Sequence, residues 1–200
     1  MVAQQFKSED EFETDDCTYG KDLSKENSIL EHLTHKVSKV YPEGILLSEK
    51  HKRQIEIISS NHEIAAVIYG ETGTGKEEIA KLIHKLRSES KKCHLVSVNC
   101  ANLTNDLASS LLFGHSRGSF TGAEKSTKGL IGEANGGILF LDEIHTLSKD
   151  NQTKLLRVLN DGKYSRIGET TERSSKFQLV AASSKDFANH VSQNNPCLRI

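Results

Sequence analysis

Ile64-Ala65-Ala66-Val67-Ile68-Tyr69-Gly70-Glu71-Thr72-Gly73-Thr74-Gly75-Lys76-Glu77 passes from an apolar run through a glycine-rich loop into a charged segment. The apolar run reads as a strand buried on both faces, the habit of a parallel sheet. The glycines let the backbone turn tightly and aim its N–H groups at phosphate oxygens. A helix that starts at the loop adds the positive end of its dipole. Lys76 supplies a point charge for the β- and γ-phosphates. Strand, loop and helix come in the order that a phosphate-binding loop demands. The alternative is a glycine-rich turn that holds no ligand.

The flanking sequence supplies the rest of a sheet. After the loop, Ile79, Leu82, Ile83 and Leu86 form the apolar stripe of a helix. Before it, Ser48 is a fitting N-cap for a helix that runs to about Ser60 through Ile55, Ile57 and Ile58. Residues 95–99, 137–142 and 177–182 read as further buried strands, and 163–167 as a short one beside Gly162. Residues 149–160 read as a helix with Leu155, Leu156 and Leu159 inward. Strands alternating with helices predict an α/β fold, a mostly parallel central sheet with helices on both faces.

Two more segments carry chemistry. Gly137-Ile138-Leu139-Phe140-Leu141-Asp142-Glu143 is an apolar strand that ends in two carboxylates, delivered together to the carboxyl edge of the sheet beside the phosphate loop. With Lys76 upstream they make a candidate ATP site; an acid pair that only caps the strand is the alternative. Asn99 ends another strand and is expected close to Glu143, unless its amide merely serves backbone groups. Gly118-Ser119-Phe120-Thr121-Gly122-Ala123 is different, because nucleotide chemistry does not require it. Gly118 and Gly122 allow sharp bending, and Phe120 and Thr121 offer an apolar anchor and a hydroxyl to a partner. A surface loop with Phe120 packed inward is the competing reading.

Composition narrows the function classes. Lys plus Arg (26) nearly balance Asp plus Glu (27) across 200 residues, so no basic field advertises nucleic-acid binding. Cys17, Cys93, Cys100 and Cys197 show no CxxC spacing and are expected as reduced thiols in a cytoplasmic protein. The nine histidines form no HxxxH or HExxH pattern and read as surface or satisfied residues. No run approaches the roughly 18 apolar residues of a membrane span. Residues 1–44 read as an acidic, flexible segment with a linker helix over 28–40. Pro42 and Gly44 mark a boundary with a domain over 45–200.

The order and spacing of these segments, with Val98-Asn99-Cys100, Leu112-Phe113-Gly114-His115 and Leu155-Leu156-Arg157-Val158-Leu159, resemble the AAA+ domain of NtrC-class enhancer-binding proteins, the bacterial activators of sigma-54 RNA polymerase. The resemblance runs over residues 45–187, and the GSFTGA segment is its specific part. It implies a three-layer αβα P-loop NTPase of AAA+ type using ATP and Mg2+. Gly70, Glu71, Thr72, Gly73, Thr74, Gly75, Lys76, Glu77, Asp142 and Ser184 would bind the nucleotide. Asp142 would organise Mg2+, Glu143 would activate the attacking water, and Asn99 would hold Glu143 in one nucleotide state and release it in another. Arg199 falls near the arginine finger that acts on a neighbouring subunit of a hexameric or heptameric ring. Gly118, Ser119, Phe120, Thr121, Gly122 and Ala123 would contact the sigma-54 holoenzyme and drive closed promoter complexes toward open ones.

Some residues depart from these patterns. Glu77 stands where P-loops in general place a Ser or Thr for Mg2+, although Glu is common there in the resembled family. Ser119 replaces a more usual Ala. Ala182-Ser183-Ser184 replaces a usual Ala-Thr-Asn, so the shorter Ser184 is expected to sense the γ-phosphate less well. The sequence stops at Ile200, before a second finger, a helical lid and a helix-turn-helix would appear. Direct DNA binding is unsupported in this chain, and if the 200 residues are the entire protein, nucleotide binding is expected to survive better than turnover. Three readings follow: an ATP-hydrolysing sigma-54 activator; a regulatory or decayed fragment that binds ATP and sigma-54 without productive hydrolysis; and a generic AAA+ remodeller, against which the GSFTGA segment argues.

Overall fold

The structure is a computed structural model that describes residues 4–5, 47–90 and 93–184. Five parallel strands, β1 (Gln4–Gln5), β2 (Ala66–Tyr69), β3 (Leu95–Asn99), β4 (Ile138–Asp142) and β7 (Gln178–Ser183), lie in the order β1-β2-β7-β4-β3. A separate antiparallel pair joins β5 (Lys163–Tyr164) to β6 (Arg173–Ser174). The helices are α1 (Glu49–Ser60), α2 (Lys76–Ser90), α3 (Asn105–Phe113), the single turn α4 (Leu130–Glu133) and α5 (Lys149–Asp161).

The side-chain alternation of the strands builds two cores. Ile138 and Phe140 of β4 face α1 and α2, joining Ile55, Ile58, Leu82, Ile83, Ile68 and Val180. Leu139 and Leu141 face the other way, toward Leu112, Ile131, Leu155, Val158 and Leu179. The sheet is thus sandwiched between two helical layers, as expected. Each fully buried Leu or Ile contributes about 1.5–3 kcal/mol. Ser48 caps α1 by accepting from His51 N–H at 3.3 Å, as its sequence suggested.

Several details differ from the sequence reading. Ile57 is 41% exposed, because only Ile55 and Ile58 point to the sheet. In α5, Leu155 and Val158 are buried while Leu156 is half-buried, since the inward stripe falls three apart. β3 is half-buried because it forms one edge of the sheet. Helix α3 and strand β6 had no distinct sequence signal. The expected helix over 28–40 and Arg199 lie outside the described residues.

The lower edge of the sheet is tied by buried polar groups. Gln178 Nε2 donates to the Ile58, Asn61 and Ile64 carbonyls, and its Oε1 accepts from Arg87 at 3.0 Å. Glu56 of α1 is less well served. It is 4% exposed, Oε2 has no hydrogen-bond partner, and burial pushes its carboxyl above the ordinary range, with nearby Glu49 adding to the rise. A raised folded value means that stability falls as pH rises from the ordinary carboxylate value through the raised one. Glu56→Gln is therefore expected to stabilise the fold at pH 7 by about 1 kcal/mol and to flatten that pH dependence, measured by urea unfolding at pH 5 and pH 7.

The register brings the functional ends together. Tyr69 pairs with Ser183 and Asn99 with Asp142, so four strands end side by side at the edge where the glycine loop begins.

Candidate nucleotide site and exposed loop

The loop after β2 wraps around Lys76, whose Nζ donates to the Gly70 carbonyl at 2.8 Å and the Glu71 carbonyl at 2.9 Å. Thr74 closes the turn through its N–H and hydroxyl, both donated to Glu71 O. Gly73 and Gly75 have φ of +87° and +82°, and a Cβ on either would meet nothing within 4 Å. The backbone thus needs glycine for its angles, and the space over the loop is open. An anion entering that space meets the start of α2 and Lys76, a lysine that is 7% exposed.

The two acids of β4 have different partners. Asp142 Oδ2 accepts from Asn99 Nδ2 at 2.8 Å, and Oδ1 accepts from the Glu143 N–H at 3.0 Å. The Asn99 amide therefore serves Asp142, not Glu143 as its sequence position suggested. The register sets this, since Asn99 lies directly across from Asp142. Asn99 Oδ1 also accepts from Ala101 N–H, which fixes the amide orientation.

Glu143 has φ 51° and ψ 45°, the one non-glycine residue with positive φ among the described residues. A left-handed glutamate costs roughly 1–2 kcal/mol, and it turns the carboxylate back over the strand ends. Oε2 accepts the Ser184 hydroxyl at 2.7 Å and the Ser184 N–H at 3.1 Å, and lies 3.2 Å from His145 Nδ1. Oε1 lies 3.9 Å from Lys76 Nζ. Burial pushes the Glu143 carboxyl up, but the two Ser184 hydrogen bonds, with Lys76 and His145, outweigh it and hold the group below the ordinary range. The Glu143 carboxylate is therefore ionised at neutral pH and firmly held.

Cys100, next to this cluster, is an inert thiol. Burial, with the Asp142 charge adding to it, pushes it up to about 12. Among the described residues no group of three or more His, Cys, Asp or Glu is placed to hold a metal ion. A cation here would have to be carried by phosphate oxygens, Asp142 and water.

The glycine-bracketed loop projects between α3 and α4. Gly118 N–H donates to Ala123 O at 2.8 Å and Ala123 N–H to Phe120 O at 3.0 Å, closing a tight tip. Phe120 is 46% exposed, with its ring edge-on to His115 at 4.9 Å. Below the tip, the Gly114 and Ile167 backbones zip together through Ile167 N–H to Gly114 O and Ser116 N–H to Ile167 O, both 3.0 Å. His115 Nδ1 adds contacts to Ser110 and Thr127.

Residues 46–196 match the family model described as the sigma-54 interaction domain. The chain belongs to this family. It is 42% identical over 142 residues to the alginate biosynthesis transcriptional regulatory protein AlgB of Pseudomonas aeruginosa, covering 68% of this chain and 31% of that relative. It is 41% identical over 131 residues to the DNA-binding transcriptional regulator NtrC of Rhizobium meliloti, covering 66% of this chain and 27% of that one. The chain thus spans about a third or less of these relatives. Among solved structures, Brucella abortus NtrX in complex with ADP superposes with a TM-score of 0.65 at 27% identity, over 86% of this chain and 37% of that one. The α/β P-loop NTPase fold with a parallel central sheet is shared.

Within this sigma-54 interaction domain, Lys76, Asn99, Asp142, Glu143 and Ser184 converge on one edge of the sheet, whereas Gly118, Phe120, Thr121 and Gly122 form a separate exposed tip, with Ser119 half-buried and Ala123 buried at its base. Glu71, Thr72 and Glu77 are exposed on or beside the phosphate loop, and Glu77 pairs with Lys81 at 3.1 Å. His145 is the site residue that sequence reasoning missed. Its signal was its position, two residues past Glu143 at a strand end.

Proposed function

We propose that this chain binds and hydrolyses ATP and uses the energy to act on the sigma-54 holoenzyme through its GSFTGA loop, as a cytoplasmic transcriptional regulator. The observation that carries the reading is the placement of Glu143 between Lys76 and the ends of four parallel strands. In the proposed mechanism the loop N–H groups and Lys76 bind the phosphates, and Glu143 accepts a proton from the attacking water. Asp142, with the phosphates and water, would hold Mg2+, which would supply charge neutralisation at the phosphates. Asn99 orients Asp142. Arg199 is proposed to complete a neighbouring subunit's site in a ring.

Transmission to the loop has a structural route. The segment containing α3, residues 114–129 and α4 leaves the sheet directly after Asn99, which is hydrogen-bonded to Asp142, and re-enters it at Ile138, the other end of β4. A nucleotide-dependent shift of the Asn99–Asp142 pair would move the stem that leaves after Asn99. Thr121→Ala is expected to weaken binding to purified sigma-54 at least about tenfold while ATP affinity stays unchanged, measured with a fluorescent ATP analogue. Equal loss of both would refute a dedicated partner loop.

One observation favours a second reading, nucleotide and sigma-54 binding without productive turnover. Glu143 Oε2 already accepts both Ser184 donors, which leaves only Oε1, 3.9 Å from Lys76 Nζ, to accept from water.

A further inference from the structure

Asn135 is the one asparagine in the sequence that is followed by glycine. The pair forms an exposed turn leading into β4, and it is tied to a single residue of the segment leading into β7. Asn135 Oδ1 accepts from Lys176 N–H at 2.9 Å, and Gly136 N–H donates to Lys176 O at 2.7 Å. Gly136 has φ +81°, and a Cβ there would meet nothing within 4 Å, so the space beside the Asn135–Gly136 bond is open. Arg87 holds the same turn from below, donating from Nη2 to Gly136 O at 3.3 Å and from Nη1 to Gly137 O at 3.1 Å.

An asparagine side chain and the next backbone nitrogen are spaced to close a five-membered ring, and glycine lacks the Cβ that hinders the closure. A solvent base takes the Gly136 amide proton, the nitrogen bonds Asn135 Cγ, and the Cγ–Nδ2 bond breaks. The departing nitrogen takes a proton from water and leaves as ammonia. Water then opens the cyclic imide at either carbonyl, giving aspartate or isoaspartate. The fold restrains the first move, because the proton that must leave is given to Lys176 O and the amide that must be attacked is held by Lys176 N–H. We infer that Asn135 is a site of spontaneous covalent modification, converted to aspartate and isoaspartate when local opening frees the turn from Lys176. The two products act differently on the fold. Aspartate keeps an oxygen for Lys176 N–H. Isoaspartate adds a methylene to the backbone just before Gly136, where Gly136 pairs with Lys176 and Gly137 O accepts from Gln178 N–H at 3.1 Å.

The test incubates the full chain at mildly alkaline pH, folded and in guanidinium chloride, and maps its peptides by mass spectrometry. Conversion of Asn135 reads as a one-dalton gain, which separates it from Asp161-Gly162, where a cyclic imide forms without loss of ammonia. Asn135 is expected to convert faster than every other asparagine in both states, and at least about tenfold more slowly in the folded chain, the factor being the cost of local opening. Asn135→Asp is expected to melt within about 2 °C of the wild type, and aged protein enriched in isoaspartate to melt lower than either. Another asparagine converting faster in the unfolded chain overturns the assignment of the site. Equal rates in the two states overturn the restraint by Lys176. No conversion in the folded chain, over a time in which the unfolded chain converts fully, overturns the inference that native opening reaches the site.

Discussion

Glu143→Gln protein is expected to bind ATP as the wild type does and to turn it over at least about a hundredfold more slowly, the loss typical of removing a general base. The substitution keeps the shape and leaves an amide oxygen to accept from Ser184, whose hydroxyl and N–H now meet Oε2 at 2.7 and 3.1 Å. It removes the negative charge 3.9 Å from Lys76 and the only proton acceptor so placed among the described residues. Phosphate release measured beside equilibrium nucleotide binding separates the two effects. The pH dependence supplies a second readout. The folded carboxyl lies below its ordinary range, so its contacts add stability above that range and lose it as pH falls through the lowered value. Glu143→Gln should remove that part of the acid sensitivity.

Gly129→Ala is expected to be the most damaging small substitution in the fold. Gly129 has φ +75° and ψ 156°, backbone angles open essentially to glycine alone. A Cβ there would sit 2.3 Å from Gly114 N, 2.5 Å from Phe113 C and 2.8 Å from Leu112 O, all backbone atoms that cannot swing aside. Gly114 is bound in the same way, with a would-be Cβ 2.5 Å from Thr127 O. These two glycines form the neck through which residues 114–129 leave and re-enter the domain. Strain and overlap together should cost about 3 kcal/mol or more, a fall in melting temperature of roughly 10 °C. Gly73→Ala is the control. It carries the strain of φ +87° but meets nothing within 4 Å, so its cost is expected to be nearer 1 kcal/mol. Equal melting temperatures for the two variants would show that the neck is not tightly packed.

The sequence made the sheet legible because its strands announce themselves twice, by apolar runs and by the residues that end them. Val67 to Tyr69 leads into glycines, and Leu139 to Leu141 into two acids, so both the burial and the functional edge could be read. Helix α3 was harder. Residues 105–113 mix Asn, Asp and Ser with apolar residues, and Thr104 at its start makes no side-chain cap bond. Strands β5 and β6 are two residues each, too short for a periodic signal, although Lys163 and Tyr164 fall within the short strand read at 163–167.

The site divides along the same line. Lys76, Asp142 and Glu143 belong to local motifs that spacing alone makes legible. The partners of Glu143 do not, because Ser184 is 41 residues away and reaches it only through strand adjacency. The Asn99 amide follows the register to Asp142, a choice between neighbouring acids that no spacing rule decides. His145 was set aside with the other histidines, since the left-handed backbone of Glu143 that turns its ring inward leaves no mark on composition.

The most direct test of the central claim is ATP binding and steady-state hydrolysis against protein concentration, with Lys76→Ala as the blank. Lys76 holds the loop through the Gly70 and Glu71 carbonyls and carries the charge meant for phosphate, so the blank should lose binding and turnover together. The account predicts binding and turnover above the blank in the wild type, with turnover rising more steeply than protein concentration as subunits complete one another's sites. Wild-type and Lys76→Ala proteins that cannot be told apart in binding and in turnover would contradict it.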